Sequence, residues 1–192
     1  MKIIKTSLPG VVIVEPDVHG DARGYFFESY SKKRYESLGI GPEEFVQDNI
    51  SFSARGVLRG LHFQHPNPQG KLVHVLQGEV FDVAVDIRRG SPTFGKWVGD
   101  VLSSENRKQL YVPPDFAHGF VVLSETALYA YKCTDYYDRH AEASIAWNDP
   151  EIGIRWPVES PALSQKDLSA PTLARIDPTR IPVYPKGHQT TR

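Results

Sequence analysis

Glycine and proline constrain this chain more than any other feature. Each occurs 15 times in 192 residues, and they fall between short apolar runs instead of pooling into linkers. That is turn punctuation. Runs this brief leave little room for helices, and nothing approaches the roughly 18 consecutive apolar residues of a membrane span. The spacing predicts strands over 11–14, 24–29, 45–52, 57–63, 72–76, 80–87, 97–102, 110–112, 120–123, 127–132 and 144–147. The clearest is 80–87, where Phe81, Val83, Val85 and Ile87 alternate with Asp82, Ala84 and Asp86 in a period of two. Gln77-Gly78 before it reads as a tight turn. One early helix is expected over 32–38, with Ser31 as its cap and Gly39 at its end. Short, regularly punctuated strands suggest an antiparallel sandwich or barrel. The pattern weakens after Trp156-Pro157, and residues 176–192 are expected on the surface.

Composition narrows the function classes. Lys and Arg number 22 against 23 Asp and Glu, a net charge of −1, so a polyanion such as nucleic acid is disfavoured as a partner. Hydrophobic residues make 40% and aromatic ones 11%, enough for a large core and a lined pocket. The length suits one domain, since single cores serve roughly 100–200 residues. With one cysteine, Cys133, no intrachain disulfide can form, and a small buried residue is its simplest role. The first residues lack the apolar core of a signal peptide, so a soluble cytoplasmic protein is expected, without membrane partners.

Several polar residues stand inside the apolar runs. In Val57-Leu-Arg-Gly-Leu-His-Phe-Gln64, a regular strand puts Val57, Arg59, Leu61 and Phe63 on one face. Leu58, His62 and Gln64 take the other, with Gly60 the place where a bulge would alter this. Such groups need partners if buried, and an Arg and a His satisfied at a sheet edge is the plain structural reading. Lys71 stands at the mouth of the next strand, where solvation is the common fate. A Pro113-Pro114 turn sets His118 where a strand begins. Tyr129 and Tyr131 share a strand face, usually a packing arrangement. Ser164-Gln-Lys166-Asp167 suits a loop or a helix cap. There is no P-loop, Gly-x-Gly-x-x-Gly, Gly-x-Ser-x-Gly or Cys-x-x-Cys. Among the seven histidines there is no His-x-His pair, and positions 62 and 65 of a strand point to opposite faces. No metal and no cofactor are expected.

These residues fall in a set of collinear motifs. Gly60-Leu-His62-Phe-Gln64, Gln69-Gly-Lys71-Leu-Val, the run from Gly78 to Gly95, Pro113-Pro-Asp-Phe-Ala-His118-Gly-Phe, Tyr131-Lys-Cys-Thr-Asp-Tyr136-Tyr, Trp147-Asn-Asp-Pro150 and Leu163-Ser-Gln-Lys166-Asp167 together resemble the dTDP-4-dehydrorhamnose 3,5-epimerase family. The likeness runs in order from about residue 3 to residue 168, and seven ordered motifs are far more specific than any one. The resemblance implies a metal-independent, cupin-like jelly roll with a few short helices, in agreement with the strand reading. Its core is expected over about 25–150, with N-terminal strands and a surface tail around it.

The resemblance also implies a reaction. The substrate is a thymidine-diphospho-4-keto-6-deoxyhexose, whose carbonyl acidifies the hydrogens on C3 and C5. Epimerisation needs a base on one face, support for the enolate oxygen, and an acid on the other face. His62 matches the family's base and Asp167 the carboxylate that holds its tautomer. Tyr131 matches the acid, and Lys71 the cation beside the developing oxyanion. Arg59 and Arg23 match residues for the diphosphate region. Glu28, Gln47, Asn49, His118, Glu142 and Lys166 fall at other substrate-binding positions, and Tyr136 at one that packs against nucleotide or sugar. His19, His65, His74, His140 and His188 match none. A homodimer is implied, in which Arg23 and Glu28 approach the partner's substrate. The chain departs from the family at Asp115, where Gly is frequent, in a short 64–71 loop, and in lacking a proline after the tyrosine pair. Rival readings are an epimerase acting only at C3 or only at C5, a noncatalytic sugar-nucleotide-binding jelly roll, and a metal-dependent cupin oxygenase.

Overall fold

The computed structural model describes residues 1–41 and 44–185. Its strands are β1 (Lys2–Lys5), β2 (Val12–Glu15), β3 (Val18–Asp21), β4 (Gly24–Phe27), β5 (Gln47–Ala54), β6 (Leu58–Gln64) and β7 (Lys71–Gln77). They continue with β8 (Glu79–Asp86), β9 (Trp97–Ser103), β10 (Gln109–Val112), β11 (Phe116–Val122), β12 (Thr126–Cys133) and β13 (Glu142–Ser144). Helix α1 spans Lys32–Ser37 and α2 spans Gln165–Leu168. One sheet runs β1-β2-β10-β7-β12-β5 and the other β13-β6-β11-β8-β9, while β3 and β4 form a separate hairpin. Neighbouring strands pair antiparallel throughout both sheets. This is a cupin-like jelly roll. Among the described residues no helix is long and apolar enough to cross a membrane.

Three apolar clusters explain why short strands suffice. Between the sheets lie Val73, Val75, Val80, Ala84, Leu110, Phe116, Phe120 and Tyr129. The outer face of the β6–β11–β8 sheet carries Leu61, Phe63, Val83, Val85 and Ala117, covered by the C-terminal segment through Ile145, Ile152, Leu173 and Ile181. The outer face of the other sheet carries Val14, Leu72 and Tyr111, covered by Tyr35 of α1 and by Ile40. The alternation along β8 therefore separates two buried faces instead of a buried and a wet one. Val80, Asp82 and Ala84 are as deeply buried as Val83 and Val85.

The structure departs from several expectations. β1 and β2 are members of the six-stranded sheet, so the roll begins well before residue 25. β1 and β3 are not among the expected strands: in β1 a lysine flanks each end of a two-residue apolar run, and β3, Val-His-Gly-Asp, holds a single β-forming residue. β11 begins at Phe116, four residues before its expected start. The last expected strand, 144–147, is displaced to β13. Helix α1 starts where expected, but the Ser31 side chain makes no capping bond. The segment after 176 is not simply surface: Ile181 is buried and Ile176 packs on the second cluster. Residues 186–192, including His188, lie outside the described residues. Asp115 adopts φ of 70°, the left-handed backbone that short polar side chains tolerate.

Candidate active site

A bulge in β6 builds the centre of the site. On β11, His118 pairs with His62 while Phe120 pairs with Arg59. Two residues of β6, Gly60 and Leu61, thus face one of β11, Gly119, and Gly60 has φ of +132°. Its Cα lies against Gly119, where a Cβ would sit 2.6 Å from the Gly119 Cα. The bulge turns Arg59 and His62 to the same inner face, although regular spacing assigns them to opposite faces. Leu58, Leu61 and Phe63 are left in the packed interior.

The inner faces of five strands then enclose a cavity of about 240 Å³. It is lined by Ser51 of β5, Arg59 and His62 of β6, Lys71 of β7, His118 and Phe120 of β11, and Tyr129 and Tyr131 of β12. His62 Nε2–H donates to Asp167 Oδ1 at 2.6 Å. Asp167 is 105 residues away in sequence and is held by α2, where its backbone N–H and Oδ2 both bond Ser164 Oγ. Burial alone would raise the Asp167 carboxyl; the His62 and Ser164 hydrogen bonds outweigh it and lower its pKa. An ionised Asp167 keeps the proton on Nε2, which leaves Nδ1 of His62 as the basic nitrogen.

The other groups suit proton return and charge. Burial raises the pKa of the Tyr131 phenol, so it holds its proton at neutral pH. Burial lowers that of Lys71, against the opposing pull of Cys133, Asp82 and Glu142. Arg59 is steadied by Nε donating to Ser53 Oγ at 3.0 Å. Cys133 is buried beside Asn49, whose Nδ2 approaches its sulfur at 3.6 Å.

The remaining expected residues divide into two groups. Gln47 and Asn49 extend the inner row of β5 and bond each other at 3.0 Å. Gln47 also accepts from the Tyr137 N–H at 2.9 Å. Lys166 donates to Glu142 at 2.7 Å. That pair lines an open groove with Arg175 and Arg180. Tyr136 is exposed, its carbonyl accepting from Gln64. Arg23 and Glu28 are not brought to the cavity. Arg23 pairs with Asp21 on the β3–β4 hairpin and lines a groove with His19, Tyr25 and Phe26, and Glu28 pairs with Arg34.

Ser51, Phe120 and Tyr129 line the cavity and Asp82 bonds two of its lining residues, His118 and Tyr129; none of the four is among the site residues the sequence points to. Tyr129 could have been found from its shared face with Tyr131. Asp82 gives no sequence signal, because it occupies the polar phase of an alternating strand. Among the described residues no group of three or more His, Cys, Asp or Glu side chains could hold a metal ion.

Comparison with known proteins gives a consistent result. The family model described as dTDP-4-dehydrorhamnose 3,5-epimerase matches residues 5–175. A dTDP-4-dehydrorhamnose 3,5-epimerase of Salmonella typhimurium is 58% identical over 175 residues, covering 90% of this chain and 96% of that protein. One from Pseudomonas aeruginosa is 55% identical over 178 residues, covering 92% and 98%. The crystal structure of a dTDP-6-deoxy-D-glucose-3,5-epimerase from Legionella pneumophila, in complex with dTDP-4-keto-L-rhamnose, superposes with a TM-score of 0.93. It is 56% identical and covers 95% of this chain and 98% of that one.

Proposed function

The chain belongs to the dTDP-4-dehydrorhamnose 3,5-epimerase family, and from that premise we propose that it inverts C3 and C5 of dTDP-4-dehydro-6-deoxy-D-glucose to give dTDP-4-dehydro-L-rhamnose. The observation that carries the reading is the His62–Asp167 hydrogen bond of 2.6 Å at a cavity that Lys71 and Tyr131 also line. At each centre His62 Nδ1 takes the C–H proton. The electron pair moves toward C4, and the carbonyl becomes an enolate whose oxygen is stabilised by Lys71. The Tyr131 phenol delivers a proton to the opposite face as the carbonyl re-forms. Solvent then reprotonates the phenolate and relieves His62 of its proton. The C4 carbonyl is itself the electron sink, so the scheme calls for no added cofactor.

Arg59, with Gln47, Asn49, His118, Glu142, Lys166 and Tyr136, holds the sugar nucleotide in this reading. Arg23 and Glu28 serve the partner's site in a homodimer. That assignment is supported by the exposure of both, Arg23 in the turn of a hairpin that carries Tyr25 and Phe26 into solvent and Glu28 just after it. A substrate built on a nucleoside diphosphate fits a cytoplasmic site of action. The test is incubation with the 4-keto-6-deoxyglucose nucleotide in deuterated water, followed by NMR. Exchange at both C3 and C5 with inverted product is expected. Exchange at one centre would assign a monoepimerase instead, and exchange at neither would leave a binding protein.

A further inference from the structure

Behind the cavity wall lies a carboxylate that the scheme above does not use. Asp82 is fully buried on β8, on the inner face where Val80 and Ala84 are its apolar neighbours along the strand. Its Oδ1 meets His118 Nε2 at 2.8 Å, and its Oδ2 accepts from the Tyr129 hydroxyl at 2.5 Å. The hydroxyl also stands 3.3 Å from His118 Nε2. A buried carboxylate without donors is costly, so both contacts are needed on stability grounds. They also fix a chemical feature of the cavity. An acceptor on Nε2 requires the ring proton there, which makes Nδ1 the acceptor in the neutral ring. Nδ1 has no hydrogen bond to the described residues, and the ring lines the cavity.

We propose that Asp82 is a positioning residue for the sugar: it sets the His118 tautomer so that Nδ1 accepts a hydrogen bond from a hydroxyl of the hexose. The hexose, and not the diphosphate, is indicated by register. His118 pairs directly with His62, whose ring must approach C3 and C5, whereas Arg59 is set apart from both by the bulge. The inference rests on the sugar-nucleotide reading of the cavity.

Two measurements test it. In ¹⁵N NMR of the wild-type protein, the His118 ring is expected as the Nε2–H tautomer; the Nδ1–H tautomer would overturn the proposal without any variant. The second compares affinities for dTDP and for the unreactive dTDP-glucose in wild type and Asp82→Asn. The Asn amide can donate to Nε2 and so reverse the tautomer. The hexose hydroxyl would then have to turn and accept from Nδ1–H instead of donating, so binding of dTDP-glucose is expected to weaken about fivefold, the loss of one net hydrogen bond, while dTDP binding stays within about twofold. Equal weakening of both ligands, or of neither, would refute the positioning role. A wild type that bound neither would instead refute the sugar-nucleotide reading itself.

Discussion

At the scale of single residues, the proposed base and the proposed acid make separable predictions. His62→Ala leaves Asp167 its two Ser164 contacts and opens only the cavity side, so the fold should persist. Exchange at both C3 and C5 should drop by about 10²–10⁴-fold, the usual contribution of a positioned base. Deuterium wash-in followed by NMR reads this directly, and exchange near the wild-type rate would remove His62 from the chemistry. Tyr131→Phe should behave differently. His62 can still remove a proton and return a deuteron on its own face, so wash-in should continue while inverted product falls. Equal product from variant and wild type would contradict the acid role. His62, Lys71, Tyr131 and Asp167 were legible in sequence because they sit in ordered motifs. Asp82 and Ser51 were not, since a polar residue on an alternating strand looks solvent-facing until a second sheet covers it.

At the scale of elements, the bulge in β6 decides what the site is. A period-two reading separates Arg59 from His62, and only the extra residue at Gly60 brings both inward. Gly60→Ala tests this. A Cβ there would lie 2.6 Å from the Gly119 Cα and 2.9 Å from the His118 carbonyl oxygen, both backbone atoms, at φ of +132°. The variant should lose about 2–4 kcal/mol in urea denaturation, with activity reduced even in the folded fraction. Most strands were readable from turn residues, but their depth was not, because alternation along β8 marks two buried faces with the same signature as one. The end of β8 carries a second prediction. Asp86 accepts from Arg88 through N, Nε and Nη2, and from Ser91 and Thr93 hydroxyls. Burial would raise its carboxyl, but these donors outweigh it and hold the pKa at about 2. A folded value below the unfolded one stabilises fully above pH ~4 and is lost as pH falls through about 2. Asp86→Asn should therefore cost about 2 kcal/mol near neutrality, and its deficit against wild type should shrink between pH 4 and 2. A constant deficit across that range would mean that shape, not charge, is what the turn needs.

At the scale of the molecule, one chain presents surfaces that a monomer has no use for. The outer row of β5 exposes Ile50 and Phe52, at 67% and 62%, and the hairpin exposes Phe26 at 71%. β5 is also a sheet edge, with backbone groups open to a further strand. Arg23 stands in the turn of the exposed hairpin and Glu28 just after it, and they pair with Asp21 and Arg34, neither of which lines the cavity. A two-fold dimer that buries these faces would carry each hairpin toward the neighbouring cavity and make both sites equivalent. Complementation tests this. Arg23→Ala and His62→Ala are each expected to be nearly inactive, one lacking a group for the diphosphate and the other the base. When the two are mixed so that subunits exchange, about half of the dimers become mixed. In a mixed dimer with shared sites, one site carries both lesions and the other carries neither. Activity should then rise toward about a quarter of the wild-type level, far above either variant alone, and should appear at the rate of subunit exchange. Exchange proven by mass spectrometry without recovered activity would return Arg23 to its own subunit or remove it from the site.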